Sequence, residues 1–241
     1  MNLHPMNRRQ FFTRSALTAA AFTTPGLFAE QLETATMVEG PYYPDVFPLD
    51  TDNDLLIIND SITPAVGEIT HVSGRVLFKS GEPARNAFVE IWQVDNQGIY
   101  LHSNAARTDE RDANFQSYGR FLTDSQGRYY FRTIKPVPYK DRRISRAPHI
   151  HFGISLGGKR VFTTQMMVKG DPGNADDSLL QRIEDPKARA TLLVDFQQLP
   201  GSKLGELNAE FDIIMGHTVE ETDDGGIHGL GEKIDAARGR G

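Results

Sequence analysis

No cysteine occurs among the 241 residues. Disulfides, thiolate metal sites and cysteine nucleophiles are therefore excluded. A basic surplus is missing too: 26 lysines and arginines stand against 32 aspartates and glutamates, a formal net charge of -6. A nucleic-acid binder needs a basic face to meet phosphates, so the balance argues against that class. Long apolar runs are scarce. The main one, from Ser15 to Ala29, is too short and too weak for a bilayer span. Long helical periods are scarce as well, and there is a single tryptophan. Hydrophobic residues make up 39% of the chain, enough to bury a sizeable core and to argue against wholesale disorder.

Segments differ in character along the chain. "NRRQFFTRSALTAAAFTTPGLFA" runs from paired arginines, Arg8 and Arg9, through an apolar stretch to a small residue at Ala29. Charge, apolar run and small-residue exit in that order read as a cleaved export signal over residues 1–29. The Arg-Arg-x-Phe-Phe opening resembles a twin-arginine signal, so the expected partner in transit is the twin-arginine translocase. The expected destination is periplasmic or extracellular. Residues 30–67 hold "VEGPYYPDVFPLD", whose prolines, glycine and tyrosines suit an extended arm laid over a surface. From Glu68 the pattern alternates. Val72, Val76 and Phe78 fall on a strand period, as do Phe88, Glu90 and Trp92, and Gly74 suggests a bulge. Further strands are expected from Tyr129 to Ile134, on both sides of Gly157-Gly158 as a hairpin, and in "RATLLVDFQQLP" and "LNAEFDIIMG". Brief helices fit Ala175–Arg182 and Asp185–Arg189. The fold expected over 68–219 is all-β, an antiparallel β-sandwich with long loops. Residues 220–241, rich in glycine and charge, read as a flexible tail.

Chemistry concentrates in "KPVPYKDRRISRAPHIHFGIS". On a strand, alternate side chains share a face, so His149 and His151 project together with Ile150 opposite. A bare H-x-H pair is more often structural than metal-binding, but here it has company. Tyr139 sits between Pro138 and Lys140, and Tyr100 closes "WQVDNQGIY". A phenol is a poor ligand for most metals because its free pKa is near 10. A hard, trivalent cation reverses this by favouring phenolate oxygen and displacing the proton. Ferric iron accepts phenolate in haem catalases. A Tyr-Tyr-His-His set would leave one or two positions for hydroxide and substrate.

"GRYYFRTIKPVPY", "RAPHIHF" and "TTQMMVKGDP", in that order and spacing, resemble the intradiol ring-cleavage dioxygenases, particularly the protocatechuate 3,4-dioxygenase type. "GPYYP" and "GRVLFKSGEPARNAFVEIWQVDNQGIY" share the likeness, which runs from about Glu39 to Gly216. The resemblance implies a β-sandwich around a mononuclear non-haem site with one Fe(3+) per chain. It places the ligands on Tyr100, Tyr139, His149 and His151. It implies that Arg146 stabilises charge on the activated substrate and that Gln165 is the active-site glutamine, though Gln165 also reads as an ordinary strand-end amide. It further implies that Tyr139 is the ligand that substrate displaces. The implied substrates are a catechol and dioxygen, and the implied product is a cis,cis-muconate-type acid. A homo-oligomer is compatible with this. The rival reading is an exported binding module for aryl or carbohydrate ligands with a relic metal site. Tyr42 and Tyr43 either line the pocket mouth or pack the arm down. Arg142 and Arg143 read as solvated loop charges, and Trp92 as core.

This sequence departs from the family pattern in three places. It reads "RAPH" where Arg-Pro-Ala-His is commoner, its loop from Tyr139 to His149 is shorter, and Lys140 replaces an aromatic. The first keeps Arg146 in register, and the other two argue against protocatechuate itself as substrate. Catechol and hydroxyquinol enzymes carry a long helical N-terminal domain, for which residues 30–67 leave no room.

Overall fold

The computed structural model describes residues 32–59, 62–141, 144–216, 220–221 and 227–228. The expected export signal, Arg142, Arg143 and most of the expected tail lie outside them. In chain order the strands are β1 (Ile69–Phe78), β2 (Phe88–Trp92), β3 (Tyr118–Leu122), β4 (Arg128–Ile134), β5 (Tyr139–Asp141), β6 (Ile144–Arg146), β7 (His149–Leu156), β8 (Lys159–Val168), β9 (Leu193–Val194), β10 (Gln197–Gln198), β11 (Leu207–Glu210) and β12 (Ile213–Met215). Two residue pairs within the expected tail, Glu220–Glu221 and Ile227–His228, also bond as short strands. Two short helices follow β8 in the chain, α1 (Ser178–Gln181) and α2 (Pro186–Ala190). Aspartates cap both: Asp177 accepts from Leu179 N and Leu180 N, and Asp185 accepts from Lys187 N.

Two sheets enclose the main core. In one, β1 pairs antiparallel with β4 from Ile69↔Ile134 to Arg75↔Arg128. The other edge of β1 is shared by two strands in parallel, β11 along Thr70–Ser73 and β12 along Val76–Phe78. The second sheet runs β3-β2-β7-β8-β9, antiparallel except for β8 with β9. The sandwich is thus mostly antiparallel, with three parallel pairings. Gly74 does not form a bulge, because its register against Tyr129 is regular. It marks instead the point where the chain crosses from β11 to β12. A Cβ there would lie 2.0 Å from the Phe211 carbonyl oxygen, so only glycine fits. The irregularity in the ladder falls between Ile154 and Ser155, just before the hairpin turn at Gly157-Gly158.

Alternation decides what each face does. Val72 and Val76 of β1, Val89 and Ile91 of β2, Phe131 of β4, Ile150, Phe152 and Ile154 of β7, and Phe162 and Met166 of β8 meet between the sheets. Burying each such side chain contributes roughly 1.5–3 kcal/mol. The opposite face of β7 and β8 would ordinarily meet water. Here the arm runs along β8, where Met37 N donates to Thr163 O (3.0 Å) and Thr164 Oγ1 donates to Ala35 O (2.6 Å), and then covers that face, where Gln165 Nε2 donates to Val38 O (3.1 Å). The expected extended arm is therefore a lid over one sheet, and β7 is buried on both faces from His149 to Ile154.

Candidate metal centre

His149 and His151 leave the arm-covered face of β7 side by side, with their Nε2 atoms 3.1 Å apart. Two features fix the ring positions. His149 Nδ1 lies 2.6 Å from the Ala147 carbonyl, to which its N–H donates, so Nε2 carries the lone pair. His151 stacks on Trp92, its cross-strand partner, at 4.8 Å and 10°. Its Nδ1 is buried without a partner. Tyr100 is brought in from the loop after β2. Asp95 organises that loop, accepting from Gln97 N (2.9 Å) and Ile99 N (3.0 Å). Tyr100 Oη ends 3.2 Å from His149 Nε2 and 3.0 Å from His151 Nε2.

These three atoms form a nearly equilateral triangle. Ligands at right angles around a metal with bonds of about 2.1 Å stand about 3.0 Å apart, so the triangle has the size of one face of a coordination shell. Among the described residues, no three His, Asp or Glu side chains come together as a metal-binding group. The donor set therefore depends on phenol oxygen, which suits a hard trivalent cation and not zinc. Burial and then Arg146 push His149 down to about 3, and burial and then His149 push His151 well below the usual histidine range. Both rings are neutral, as a metal ligand must be. Burial raises Tyr100 well above the usual tyrosine range, and neighbouring Tyr139 adds to this. A bound cation would have to supply the charge that turns its oxygen into a phenolate.

Tyr139 begins β5 instead of lying in a loop, and it pairs in register with Arg146 of β6. Its ring meets Tyr100 edge-on at 5.1 Å and tilts against His149 at 5.8 Å. Burial raises its pKa, and the nearby Arg146 guanidinium partly offsets the rise. The structure thus gathers Tyr100, His149 and His151 at one point. It sets the ring of Tyr139 against them, beside Arg146 in the β5–β6 register.

Arg146 is 6% exposed. Its Nε donates to Asp177 Oδ2 (2.8 Å) and its Nη2 to Gln165 Oε1 (2.7 Å). Gln165 is committed at both ends, since its Nε2 bonds Val38 O. It links Arg146 to the arm. Asp177 is missing from the sequence reading. One carboxylate there receives Arg146 Nε, Ala147 N (2.9 Å), Leu179 N (3.2 Å) and Leu180 N (3.0 Å). Burial opposes its charge, but Arg146 and these donors outweigh that and hold it below the usual carboxylate range. The only sequence signal was an Asp before "SLL" at a helix start, which reports a cap and nothing about Arg146.

Tyr42 and Tyr43 play separate parts. Tyr42 stacks on Tyr100 at 5.0 Å and 22°, lies edge-on to Tyr139 at 6.2 Å, and donates its hydroxyl to Asp141. Tyr43 ties the arm down, donating to Glu90 Oε1 (2.8 Å), which also accepts from Tyr118 (2.5 Å). Arg160 closes this network with ion pairs to Glu39 (2.7 Å) and Glu90 (2.6 Å), and its guanidinium lies 5.2 Å from the Tyr43 ring centre and 5.8 Å from that of Trp92. Gly153 makes room for it, since a Cβ would come within 2.3 Å of Arg160 Nη1. Trp92 is buried core, as expected, in a cluster separate from the one between the sheets. It packs with Tyr42, Tyr100, Tyr118 and Tyr139 as the wall of the site.

A protein-family model described as "Dioxygenase" matches residues 38–216. The protocatechuate 3,4-dioxygenase beta chain of Burkholderia cepacia is 37% identical over 177 residues, covering 71% of this chain and 73% of that protein. Catechol 1,2-dioxygenase 2 of Acinetobacter lwoffii is 32% identical over 158 residues, 60% of this chain and 54% of that protein, so the likeness spans about half of that relative. Among solved structures, the dioxygenase domain of a dioxygenase–carbohydrate-binding fusion from Streptomyces sp. SirexAA-E superposes with a TM-score of 0.56 at 25% identity, covering 77% of this chain and 99% of that one.

Proposed function

The chain belongs to the intradiol ring-cleavage dioxygenase family, and from that premise we propose that it opens a catechol between its two hydroxyl-bearing carbons with dioxygen, using one ferric ion. Tyr100, Tyr139, His149 and His151 are the residues that would hold the ion. Bound there, it would supply positive charge that draws electron density from the catechol oxygens and prepares a hydroxyl-bearing ring carbon for dioxygen. The product is a cis,cis-muconate-type dicarboxylate containing both atoms of the dioxygen.

The protein's own groups divide the remaining work. His149 presents a fixed lone pair because Ala147 O takes its other proton. Tyr139, as the phenolate that a bound cation would make of it, would take a proton from an incoming catechol hydroxyl and leave as the neutral phenol that its burial favours. Arg146, held by Asp177 and Gln165, offers a preorganised cation to negative charge developing on the ring. The arm residues from Ala35 to Tyr43 keep bulk water off the donor atoms. The single observation that carries this reading is the buried triangle of Tyr100 Oη, His149 Nε2 and His151 Nε2 with Arg146 alongside.

Turnover of catechol under isotopically labelled dioxygen tests it. The ferric protein should yield a muconate that carries two label atoms by mass spectrometry. A yellow semialdehyde, or turnover only after reduction to ferrous iron, would overturn it.

A further inference from the structure

Asp141 is a buried carboxylate, 6% exposed, beside the proposed ring-binding site. It lies two residues after Tyr139 on β5, so the two side chains share a face, while Lys140 between them is exposed on the other. Asp141 Oδ2 accepts the hydroxyl of Tyr42, whose ring is stacked on Tyr100 and edge-on to Tyr139. Asp141 Oδ1 is buried and has no hydrogen-bond partner. Buried polar atoms in folded proteins are almost always paired, and an unpaired carboxylate oxygen beside a binding site points to a ligand that completes it. Nearby Arg146 does not do so: its Nε and Nη2 are engaged by Asp177 and Gln165.

We propose that Asp141, held in place by Tyr42, determines which catechol is accepted, and that the preferred class carries a third ring substituent that donates a hydrogen bond, a hydroxyl or an amino group. The proposal rests on the catechol-cleavage reading above. Its physical basis is acceptor geometry. A ring hydroxyl or amine offers a proton to Oδ1 and satisfies it. An unsubstituted catechol leaves it bare. A carboxylate substituent brings a second acceptor against the first. Sites built to bond a substrate hydroxyl reject analogues lacking it far more strongly than apolar pockets discriminate size.

The experiment compares 1,2,4-trihydroxybenzene, catechol and 3,4-dihydroxybenzoate on the iron-loaded protein. Oxygen uptake gives kcat/KM, and calorimetry in the absence of dioxygen gives binding. The trihydroxy ring should lead catechol by about tenfold or more in both, with the benzoate weakest. Asp141→Asn keeps the shape but can turn an N–H2 toward the ring. It should cut the trihydroxybenzene-to-dihydroxybenzoate ratio by about a hundredfold or more, about tenfold from each change of partner. Equal or reversed binding preference in the unaltered protein would overturn the proposal without any variant. So would a preference that survives Asp141→Asn. Selective binding without cleavage of any of the three rings would leave the Asp141 assignment standing and remove the dioxygenase reading instead.

Discussion

Replacing Asp177 with asparagine should cost this protein both stability and turnover, although Asp177 faces no substrate atom. Its carboxylate is 1% exposed and carries an ion pair with Arg146 at 2.8 Å, a backbone bond from Ala147 and the cap of α1. Asparagine is the same size but has one acceptor oxygen. If that oxygen keeps the cap, about 1 kcal/mol of helix stabilisation is retained. The N–H2 then faces Arg146 Nε and Ala147 N, donor against donor. Removing one partner of a buried ion pair typically costs about 3–5 kcal/mol, because the remaining charge is stranded. We expect a loss of about 3 kcal/mol in urea unfolding followed by circular dichroism, with the slope unchanged. Turnover should fall by about 10- to 1,000-fold as Arg146 loses its aim. The double variant Arg146→Met/Asp177→Asn should be more stable than the sum of the single losses predicts, by about 1.5 kcal/mol or more. Strict additivity, or a single variant within about 1 kcal/mol of the parent with full turnover, would refute the argument that Asp177 exists to hold Arg146.

Tyr100→Phe should fold normally but lose most of its iron or shift its visible phenolate band, measured by metal analysis and absorbance on the ferric protein. Unchanged iron and spectrum would remove Tyr100 from the ligand set. Arg146→Leu should lower kcat by about two to three orders of magnitude while iron content is retained, and wild-type turnover would leave Arg146 only its structural pairing with Asp177. Burial opposes the charge of Glu90, but Arg160 and the hydroxyls of Tyr118 and Tyr43 outweigh it and hold its pKa low, as the Arg146 pair does for Asp177. Groups with depressed folded pKa values contribute fully above their unfolded values of about 4 and lose that contribution as pH falls further. The urea midpoint should therefore drop steeply below about pH 4, and Glu90→Gln, less stable at neutral pH, should show a shallower decline. Replacing Arg8 and Arg9 by lysine should retain the precursor in the cytoplasm, and normal export on cell fractionation would contradict the twin-arginine reading.

The parts of this molecule that were legible in sequence are those set by period-two alternation or by a local string. His149 and His151 could be paired without a structure because one strand dictates their common face. The hairpin at Gly157-Gly158 and the two short helices follow from turn and cap chemistry within a few residues. Asp177 was invisible because its task depends on α1 being carried to Arg146, and no spacing rule links a helix cap to a strand in another part of the chain. Trp92 was legible as core, but not which core cluster it joins. Its alternation with Ile91 puts it on the outer face, but only the covering arm makes that face a buried site wall. The parallel pairings of β1 also left no local trace, since Thr70 and Leu207 belong to segments with ordinary strand patterns. The same holds for Gly74, whose reason is the carbonyl of Phe211.

Synthesis delivers the chain from its N-terminus, so β1 emerges long before β11 and β12, which complete its second edge. The sheet bearing His149 and His151 has β2, β3, β7 and β8 within residues 88–168 and can assemble while the opposite sheet still lacks two strands. During that interval one side of β1 is an open template, and Phe211, Ile213 and Met215 have not yet arrived to cover their share of the core. A ribosome stalled before Leu207 would therefore hold a nascent chain with its paired histidines in place on a nearly finished sheet, and with a bare hydrophobic seam behind them that invites chaperones or neighbouring nascent chains.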